Sequence, residues 1–335
     1  MRTVFWRGAA AFLTAALFAL PVCAHAGAPV LGLCIYNGQD TFIQSLFFHI
    51  EALSAGRANL MIEDAANDQN RQNDQIAGLL DAGIDALVVN PVDRTSAVYL
   101  IDMAKRAHIP IILVNREPFR GDLDRYELAY YVGIDPKEQG ELSGQLAARY
   151  FLDHPSADKN GDGVMQIVML KGEPGHQDAE HRTQSSLKAI LSFGVTPEVL
   201  AQDSGMWERS QGQEKMAGFL NAFGDSIECV LCNNDDMALG AIDALKAAGY
   251  FSSGRFMPVL GIDATAPALE ALRAGTLYGT VMNDAREQAR AVLELALLLS
   301  SGAAITEDVF PYETSGKMVY VNSRVVTLQT LEEDE

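Results

Sequence analysis

A loop rich in oxygen-bearing side chains lies between residues 158 and 166. Its spacing matches the first nine positions of a calcium-binding loop, with Gly163 where the backbone must turn sharply. Met169 stands at the usual twelfth position and cannot coordinate, so the bidentate carboxylate must come from elsewhere in the chain. A solvated acidic turn is the alternative, but the regular spacing favours a calcium site. The oxygen donors in the loop are Asp158, Asn160, Asp162, the carbonyl of Val164, and Gln166.

Asparagine or aspartate follows nearly every apolar run that has the pattern of a strand. In open parallel sheets, ligands bind outside the carboxyl ends of the strands. At any single position, helix capping or a turn is the better explanation of such a residue. Their recurrence along the chain favours a polar cleft. The residues concerned are Asp40, Asn90, Asn115, Asp135, Asn233, Asn234, Asp235, Asp263, Asn283 and Asp284.

A second group of polar residues follows one of these strands and opens a helix. His176, Asp178 and Arg182 can converge there, since Asp178 and Arg182 are spaced i, i+4 on one helix face. Taken alone, the segment is better explained as a capped turn with a surface ion pair. Two aromatic residues, Phe42 and Trp207, are expected in loops or at helix starts, where a ring can stack on an apolar ligand face or pack into the core.

The elements that must position these residues are short apolar runs alternating with segments of helical periodicity. Such alternation predicts parallel sheets flanked by helices, an α/β fold. The chain has 335 residues, more than one core usually supports, so two domains are expected. The runs expected to be strands are 30–36, 86–90, 110–115, 129–134, 166–170, 228–232, 258–262 and 279–282.

Composition excludes several classes of function. The chain carries 25 Lys and Arg against 44 Asp and Glu, a formal net charge of −19. So acidic a chain repels phosphate backbones and anionic lipid, which argues against nucleic-acid and membrane-surface partners. We expect a monomer.

The first 26 residues have the pattern of a secretory signal peptide. Arg2 and Arg7 precede an apolar run from residue 9 to 20, and Ala24-His25-Ala26 is an A-x-A cleavage signal. The apolar run is too short for a stable membrane anchor. Lipidation at Cys23 is the second interpretation, because Val22 stands where a lipoprotein signal normally has a small residue. We therefore expect export to the periplasm.

Three cysteines remain after such cleavage, an odd number. Cys229 and Cys232 are spaced like a redox or metal pair but lie in a predicted strand. Residues three apart in a strand face opposite sides, so neither a disulfide nor a shared metal is expected. We expect these two and Cys34 to be buried as small hydrophobic residues.

Taken together, these residues resemble the glucose- and galactose-binding proteins of the type I periplasmic sugar-binding family, over the whole length after residue 26. Arg116 stands where that family usually has a lysine, and Cys229 and Cys232 replace aliphatic residues. The stretches that carry the resemblance are 66–75, 115–118, 129–133, 171–178, 233–235 and 279–284, together with the calcium loop.

The resemblance implies a binding role for each candidate residue. Asp40, an acceptor with two oxygens, would tolerate either epimer at the fourth carbon of a hexose. Glu228 would supply the remote bidentate ligand to a structural Ca²⁺. Phe42 and Trp207 would sandwich the sugar ring. The residues implied to hydrogen-bond the sugar are Asp40, Asn115, His176, Asp178, Arg182, Asn234, Asp263 and Asn283.

The implied fold is the type I periplasmic-binding-protein fold, two Rossmann-like lobes with parallel sheets joined by a three-segment hinge. The chain would cross between lobes near Ile134, Asn283 and Lys317. The first lobe would comprise residues 27–134 and 284–316, and the second 135–283 and 317–335. Closure of the lobes around a sugar would then be read by an ABC importer, and by a chemotaxis receptor if one is served.

Two alternatives stay open from the residues alone. A glycoside hydrolase could use two of the carboxylates of Asp40, Asp178 and Asp263. Against this, a hydrolase needs a carboxyl of raised pKa, and we expect Arg182 and the nearby amides to keep these groups ionised. The other alternative is a binding protein for a different sugar, such as ribose or xylose. A sugar-responsive repressor is discarded because no helix-turn-helix pattern precedes Val30.

Overall fold

Strands and helices alternate along the chain in the computed structural model, which describes residues 27–252 and 254–334. The expected signal peptide, with Cys23, lies outside the described residues. The elements form two α/β lobes, each built on one mostly parallel sheet. This confirms the predicted α/β architecture.

The first lobe contains a seven-stranded sheet in the order β11-β12-β5-β4-β3-β1-β2. Only the β11–β12 pair is antiparallel. Its elements are β1 (Val30–Ile35), α1 (Thr41–Ser54), β2 (Asn59–Asp64), α2 (Gln69–Asp81), β3 (Ala86–Val89), α3 (Ala97–Ala107), β4 (Ile111–Val114), α4 (Arg120–Leu123), β5 (Ala129–Gly133), α10 (Ala285–Ser301), β11 (Thr314–Ser315) and β12 (Met318–Tyr320).

The second lobe contains a six-stranded sheet in the order β13-β10-β9-β8-β6-β7, in which β13 runs antiparallel to β10. No helix among the described residues is long and apolar enough to cross a membrane. The elements of this lobe are α5 (Pro136–Asp153), β6 (Val164–Lys171), α6 (Gln177–Ser192), β7 (Thr196–Ser204), α7 (Arg209–Phe223), β8 (Cys229–Cys232), α8 (Asp235–Ala247), β9 (Val259–Asp263), α9 (Ala266–Arg273), β10 (Gly279–Met282), β13 (Arg324–Val326) and α11 (Leu328–Asp334).

The chain passes between the two sheets three times. The first passage lies between β5 and α5, and the second between β10 and α10. The expected third crossing at Lys317 is too early. Residues 318–320 form β12, which pairs with β5 in the first sheet, so the chain crosses between Tyr320 and Arg324. Short terminal strands leave too little periodicity in the sequence to place this crossing.

The extent of burial explains which strands the sequence pattern predicted and which it missed. The central strands β3, β4 and β8 are buried at every residue, which gives the continuous apolar runs typical of parallel sheets covered on both faces. The edge strands β2 and β7 were missed. They expose much of their length, and their sequences accordingly mix polar and apolar residues.

Each sheet is covered by hydrophobic side chains on both faces. In the second lobe, Cys232 packs on the face covered by α7 and α8, and Cys229 on the face covered by α5 and α6. Both thiols and that of Cys34 are free and buried. Burial raises the pKa of the Cys229 thiol to about 12, so it stays protonated. The prediction of three buried, unpaired cysteines is confirmed.

In each sheet, the strand order reverses at the strand next to one edge. In the first sheet, β1 has β2 on one side and β3 on the other, and in the second sheet, β6 lies between β7 and β8. Such switch points open a crevice at the carboxyl ends of the strands. The loops after β1 and β6 therefore lie where a ligand site is expected, and they carry Asp40 and His176.

Helix α6, which carries two of the candidate site residues, packs very closely on α5. A Cβ added at Gly144 would lie 2.1 Å from the carbonyl oxygen of Ser186, and one at Gly140 would lie 2.6 Å from that of Arg182. Two glycines one turn apart on α5 therefore allow the backbones to approach. This contact fixes the depth at which α6 presents its side chains.

We expect Gly144→Ala to lower the free energy of unfolding by about 1–3 kcal/mol, because the backbone of α6 must move to admit a methyl group. Gly78→Ala in α2 is the matched control. A Cβ there meets no atom within 4 Å, so the same change should stabilise the protein by up to about 1 kcal/mol through helix propensity. Urea unfolding of both variants measures this, and equal effects would contradict the packing argument.

Candidate functional site

One cavity between the lobes gathers all ten residues that the sequence predicted for the sugar site. The first lobe contributes residues after β1 and β4, and the second contributes residues after β6, β7 and β8 and the last residue of β9. Asn283 lies in the segment that joins the lobes. The cavity is partly open to solvent. Its lining consists of Tyr36, Asp40, Phe42, Asn115, Arg116, His176, Asp178, Arg182, Trp207, Asn234, Asp263 and Asn283.

The first wall of the cavity is set by the start of α1. Asp40 caps this helix, since its Oδ1 accepts from the backbone N–H of Ile43 over 3.0 Å. Its Oδ2 accepts from the Tyr36 hydroxyl over 2.5 Å. These two bonds fix the carboxylate, and each oxygen keeps a second lone pair for a ligand. Phe42 follows in the first turn and is buried against the cavity.

Asn115 is held in a left-handed backbone conformation, with φ of 61°. Its backbone carbonyl accepts from the Tyr131 hydroxyl over 2.9 Å, and its Oδ1 accepts from Asn90 Nδ2 over 3.2 Å. Because asparagine tolerates this region better than most residues, the turn after β4 can aim the amide into the cavity.

Arg182 is the buried cation of the second lobe. Its Nε donates to Gln139 Oε1 over 2.9 Å, and its Nη1 donates to the backbone carbonyl of Asn233 over 2.8 Å. Its Nη2 lies 3.6 Å from Asp178 Oδ2. Helices α5 and α6 and the end of β8 therefore all meet at this guanidinium. The capped turn with a surface ion pair is thereby excluded, because both Asp178 and Arg182 are buried.

The Trp207 ring forms the aromatic side of the cavity. It meets the His176 ring edge to face at 5.0 Å between centroids, and the guanidinium carbon of Arg182 lies 5.8 Å from its centroid. A Cβ at Gly172 would lie 2.1 Å from the ring, so the loop after β6 must have glycine there. Both Trp207 and Met206 have positive φ, which turns the indole inward.

Each of the remaining lining residues, Asn234, Asp263 and Asn283, has its side chain held by a hydrogen bond. Asn234 Nδ2 donates to the carbonyl of Trp207 over 3.0 Å, while its Oδ1 caps α8 at Met237 N. Asn283 Nδ2 donates to Asp263 Oδ1 over 3.1 Å. Asp263 has φ of 125°, a strained value for any residue with a side chain.

Two lining residues, Tyr36 and Arg116, were not predicted. The Arg116 guanidinium carbon lies 4.3 Å from the centroid of the Tyr36 ring, and Nη2 bonds Glu173 of the other lobe. Arg116 directly follows Asn115, a predicted site residue, and this position in the sequence could have identified it. Tyr36 ends an apolar run and has the pattern of a core residue, so no sequence feature separated it from the core.

Electrostatics in the cavity differ from the sequence expectation. Burial raises the pKa of Asp178 to about 6, although Arg182 opposes the shift. Burial also raises the pKa of Asp263 well above its usual range. The expectation that Arg182 and the amides keep these carboxylates fully ionised was therefore wrong, because one guanidinium does not replace the water that burial removes.

His176 is neutral at ordinary pH. Burial lowers its pKa well below the usual value, and the nearby Arg116 and Arg182 lower it further. Its Nδ1 accepts from the backbone N–H of Asp178 over 3.2 Å, so Nε2 carries the ring proton. The cavity therefore offers donors from His176 and Arg182 next to acceptors from Asp40 and the amides. This mixture suits a small ligand with several hydroxyl groups.

The predicted calcium loop lies at the other end of β6. The structure brings Glu228 to this loop, where its carboxylate accepts from the backbone N–H groups of Lys159 over 2.6 Å and Gln166 over 3.1 Å. Asp158 accepts from three backbone N–H groups of the loop. The buried Oε1 of Gln166 has no hydrogen-bond partner among the described residues.

This donor set fits a hard cation. In the described part of the chain, no three His, Cys, Asp or Glu side chains lie together so that they could hold a metal by themselves. The loop's donors include amide oxygens and a carbonyl, which Ca²⁺ accepts alongside carboxylates. An unpartnered buried oxygen at Gln166 is the atom that a cation would satisfy.

The fold and the cleft define a two-lobed ligand-binding protein. A family model described as a periplasmic binding protein domain matches residues 31–304. The chain therefore belongs to the periplasmic binding protein family, and the fold that the sequence resemblance implied is confirmed.

Individual relatives agree with this assignment. The chain is 40% identical over 280 residues to the D-galactose/methyl-galactoside binding periplasmic protein MglB of Haemophilus influenzae, covering 83% of each chain. It is 33% identical over 288 residues to a putative rhizopine-binding protein of Rhizobium meliloti, covering 84% of each. An ABC transporter solute-binding protein from Bacillus halodurans with bound myo-inositol superposes with a TM-score of 0.77 at 31% identity, covering 93% of this chain and 99% of that one.

The raised pKa of Asp178 makes stability depend on pH. Because its folded pKa of about 6 exceeds the unfolded value of about 3.9, the contribution is fully present below about pH 4 and is lost as the pH rises through 6. We expect the ligand-free protein to lose more unfolding free energy between pH 4.5 and 7 than Asp178→Asn, by up to about 2 kcal/mol.

Chemical unfolding at both pH values, at fixed calcium, measures this difference. Asp102→Asn is the control, because it removes an exposed carboxyl whose pKa Arg125 lowers, and it should leave the dependence over this window unchanged. Equal pH dependence in the wild type and Asp178→Asn would contradict the assignment.

Proposed function

We propose that this protein is a periplasmic hexose-binding protein that closes around D-galactose or D-glucose and delivers it to an ABC importer. The observation that carries the proposal is the cavity between the lobes, which polar side chains from both lobes line together with the aromatic residues Phe42 and Trp207. A pyranose presents the complementary surface, a belt of hydroxyls around two apolar C–H faces.

The polar groups of the cavity are suited to neighbouring hydroxyls. Asp178 and Asp263 offer carboxyl oxygens beside the planar, charged guanidinium of Arg182, so paired and charge-assisted bonds are available. Hydroxyls of a bound sugar would also replace the water that closure removes from these carboxylates. Phe42 and Trp207 would cover the two apolar faces of the ring.

Galactose and glucose are preferred over other sugars for two reasons. The relative from Haemophilus influenzae is named for D-galactose, and all ten residues that the family resemblance implied line one cavity. Asp40 would tolerate either epimer because it has two acceptor oxygens, which bonds from Tyr36 and Ile43 hold in fixed positions. Ribose, xylose and inositols are the competing ligands, since they carry similar belts of hydroxyls.

A transport role accounts for the two-lobed architecture. Contacts from both lobes to one sugar favour the closed form, and a membrane importer that touches both lobes can detect it. We propose that the protein has no enzymatic activity, is exported by the segment 1–26, acts as a monomer and, where chemotaxis is served, also presents its closed form to a receptor. A glycoside hydrolase would need a leaving-group path, and the named relatives are binding proteins.

We further propose that the loop before β6 binds a structural Ca²⁺. Its ligands would be Asp158, Asn160, Asp162, the carbonyl of Val164, Gln166 and Glu228. The ion would tie the loop to the start of β8, at the amino ends of the strands, while the sugar cavity lies at their carboxyl ends. A direct role of the ion in sugar recognition is therefore not expected.

Titration of sugar-stripped protein tests the binding proposal. We expect saturable heat and a change in Trp207 fluorescence with D-galactose and D-glucose at micromolar concentration, and weaker or no response to D-ribose, D-xylose and myo-inositol. Trp207→Phe should keep the heat and lose the fluorescence response. Absence of any sugar-dependent heat would refute the proposal, and turnover of a nitrophenyl galactoside would support the hydrolase instead.

The calcium proposal is tested by melting temperature with and without the ion. We expect Ca²⁺ to raise the melting temperature of the wild type but not that of Glu228→Gln, because the variant loses a bidentate ligand. The order of sugar affinities should be the same in both. Glu198→Gln, next to Gln166 but outside the ligand set, serves as the control and should keep the calcium response.

A further inference from the structure

Two side-chain contacts join the lobes at the rim of the cavity. The Thr41 hydroxyl, at the start of α1, donates to Asp236 Oδ2 in α8 over 2.7 Å. Nη2 of Arg116, after β4, donates to Oε2 of Glu173, before α6, over 2.9 Å. Each contact has one partner in each lobe, so each can exist only while the lobes are together.

Both contacts lie in the wall of one outer groove. That groove is lined by all four partners, and it shares Arg116, Tyr36, Asp40 and Trp207 with the sugar cavity. The two contacts therefore stand where the groove adjoins the cavity. A sugar moving between this groove and the cavity would have to pass between them.

The four partners differ in their exposure to water in the closed form. The Arg116 side chain is 6% exposed, whereas that of Glu173 is 37% exposed. Burial raises the pKa of Asp236, and the bond from Thr41 opposes the shift. Both contacts are charge-assisted, which strengthens them, but opening returns each charge to water, which keeps the net contribution modest.

Three of the partners do not line the sugar cavity. Thr41, Glu173 and Asp236 are absent from its wall, and only Arg116 reaches it. Their contacts therefore favour the closed form whatever sugar it holds. By mass action, a contact made only in the closed form strengthens the apparent affinity for every ligand that requires closure by the same factor.

We propose that Thr41–Asp236 and Arg116–Glu173 form a two-point latch that sets how tightly sugars are held without deciding which sugar is held. Thr41, Glu173 and Asp236 are thus affinity-determining residues outside the ligand contacts. This inference rests on the proposed function for its ligand, but the latch itself is a property of the two lobes.

The latch is tested with Thr41→Val, Glu173→Gln and the double variant. Matched controls are Ser45→Ala, which removes a hydroxyl one turn along α1 that has no hydrogen-bond partner among the described residues, and Glu180→Gln. Glu180 pairs with Lys171 inside the second lobe at 3.0 Å and is 41% exposed, close to the value for Glu173.

We expect each single latch variant to raise Kd for galactose and glucose alike by about three- to tenfold, which corresponds to about 0.7–1.4 kcal/mol. The rise should appear mainly in koff, because both contacts must break before the sugar can leave. The controls should leave Kd within about twofold of the wild type. Melting temperatures without sugar should be similar for all variants, which separates latch loss from unfolding.

An unchanged Kd, or a change in the ratio of glucose to galactose affinity, would overturn the latch. Small-angle scattering gives a readout that needs no sugar. The ligand-free double variant should have a larger radius of gyration than the ligand-free wild type, and equal radii would also count against it. A wild type that binds none of the tested sugars refutes the proposed function, while the scattering result still decides on the latch.

Discussion

The second lobe's half of the site depends on the hydrogen bonds and the ion pair that the buried guanidinium of Arg182 makes. A charge taken out of water must be paired and hydrogen-bonded, and here Gln139, Asn233 and Asp178 meet that need from three different elements. The close approach of α5 and α6 at Gly140 and Gly144 brings those partners within reach. The close packing of α5 on α6 is therefore also what allows the charge of Arg182 to be buried.

Because of the same burial, the carboxyl groups of the cavity lack enough hydrogen-bond donors to replace water when no ligand is bound. The pKa values of Asp178 and Asp263 are raised because the nearby positive charge does not compensate for lost hydration. A polyhydroxylated ligand supplies the missing donors. Backbone strain at Asn115 and Asp263 has a related origin, since the turns that aim their side chains inward are sustained by bonds from Tyr131 and Asn283.

Three separate sets of residues affect sugar selectivity, lobe closure and local stability. Contacts inside the cavity depend on which hydroxyls the ligand presents, whereas Thr41–Asp236 and Arg116–Glu173 depend only on closure. The oxygen-rich loop lies at the amino end of β6, away from both sets of contacts. Selectivity, closure and local stability can therefore be changed at different positions of the chain.

The sequence alone determined the alternation of buried strands and helices, the oxygen-rich loop and the polar residues that follow the strands. Those signals are local, because a strand buried on both faces is continuously apolar, and a loop at its carboxyl end carries its polar residue directly afterwards. The family resemblance selected the ten residues that line the cavity and added Glu228, which lies far from its loop in sequence.

Only the tertiary structure decided the rest. The edge strands β2 and β7 were missed because exposure removes their apolar pattern, and the crossing after Tyr320 was misplaced because β12 is only three residues long. Tyr36 and the raised pKa values of Asp178 and Asp263 were missed because burial depends on both lobes at once. Contacts such as Thr41–Asp236 join residues far apart in the chain, and no local pattern specifies them.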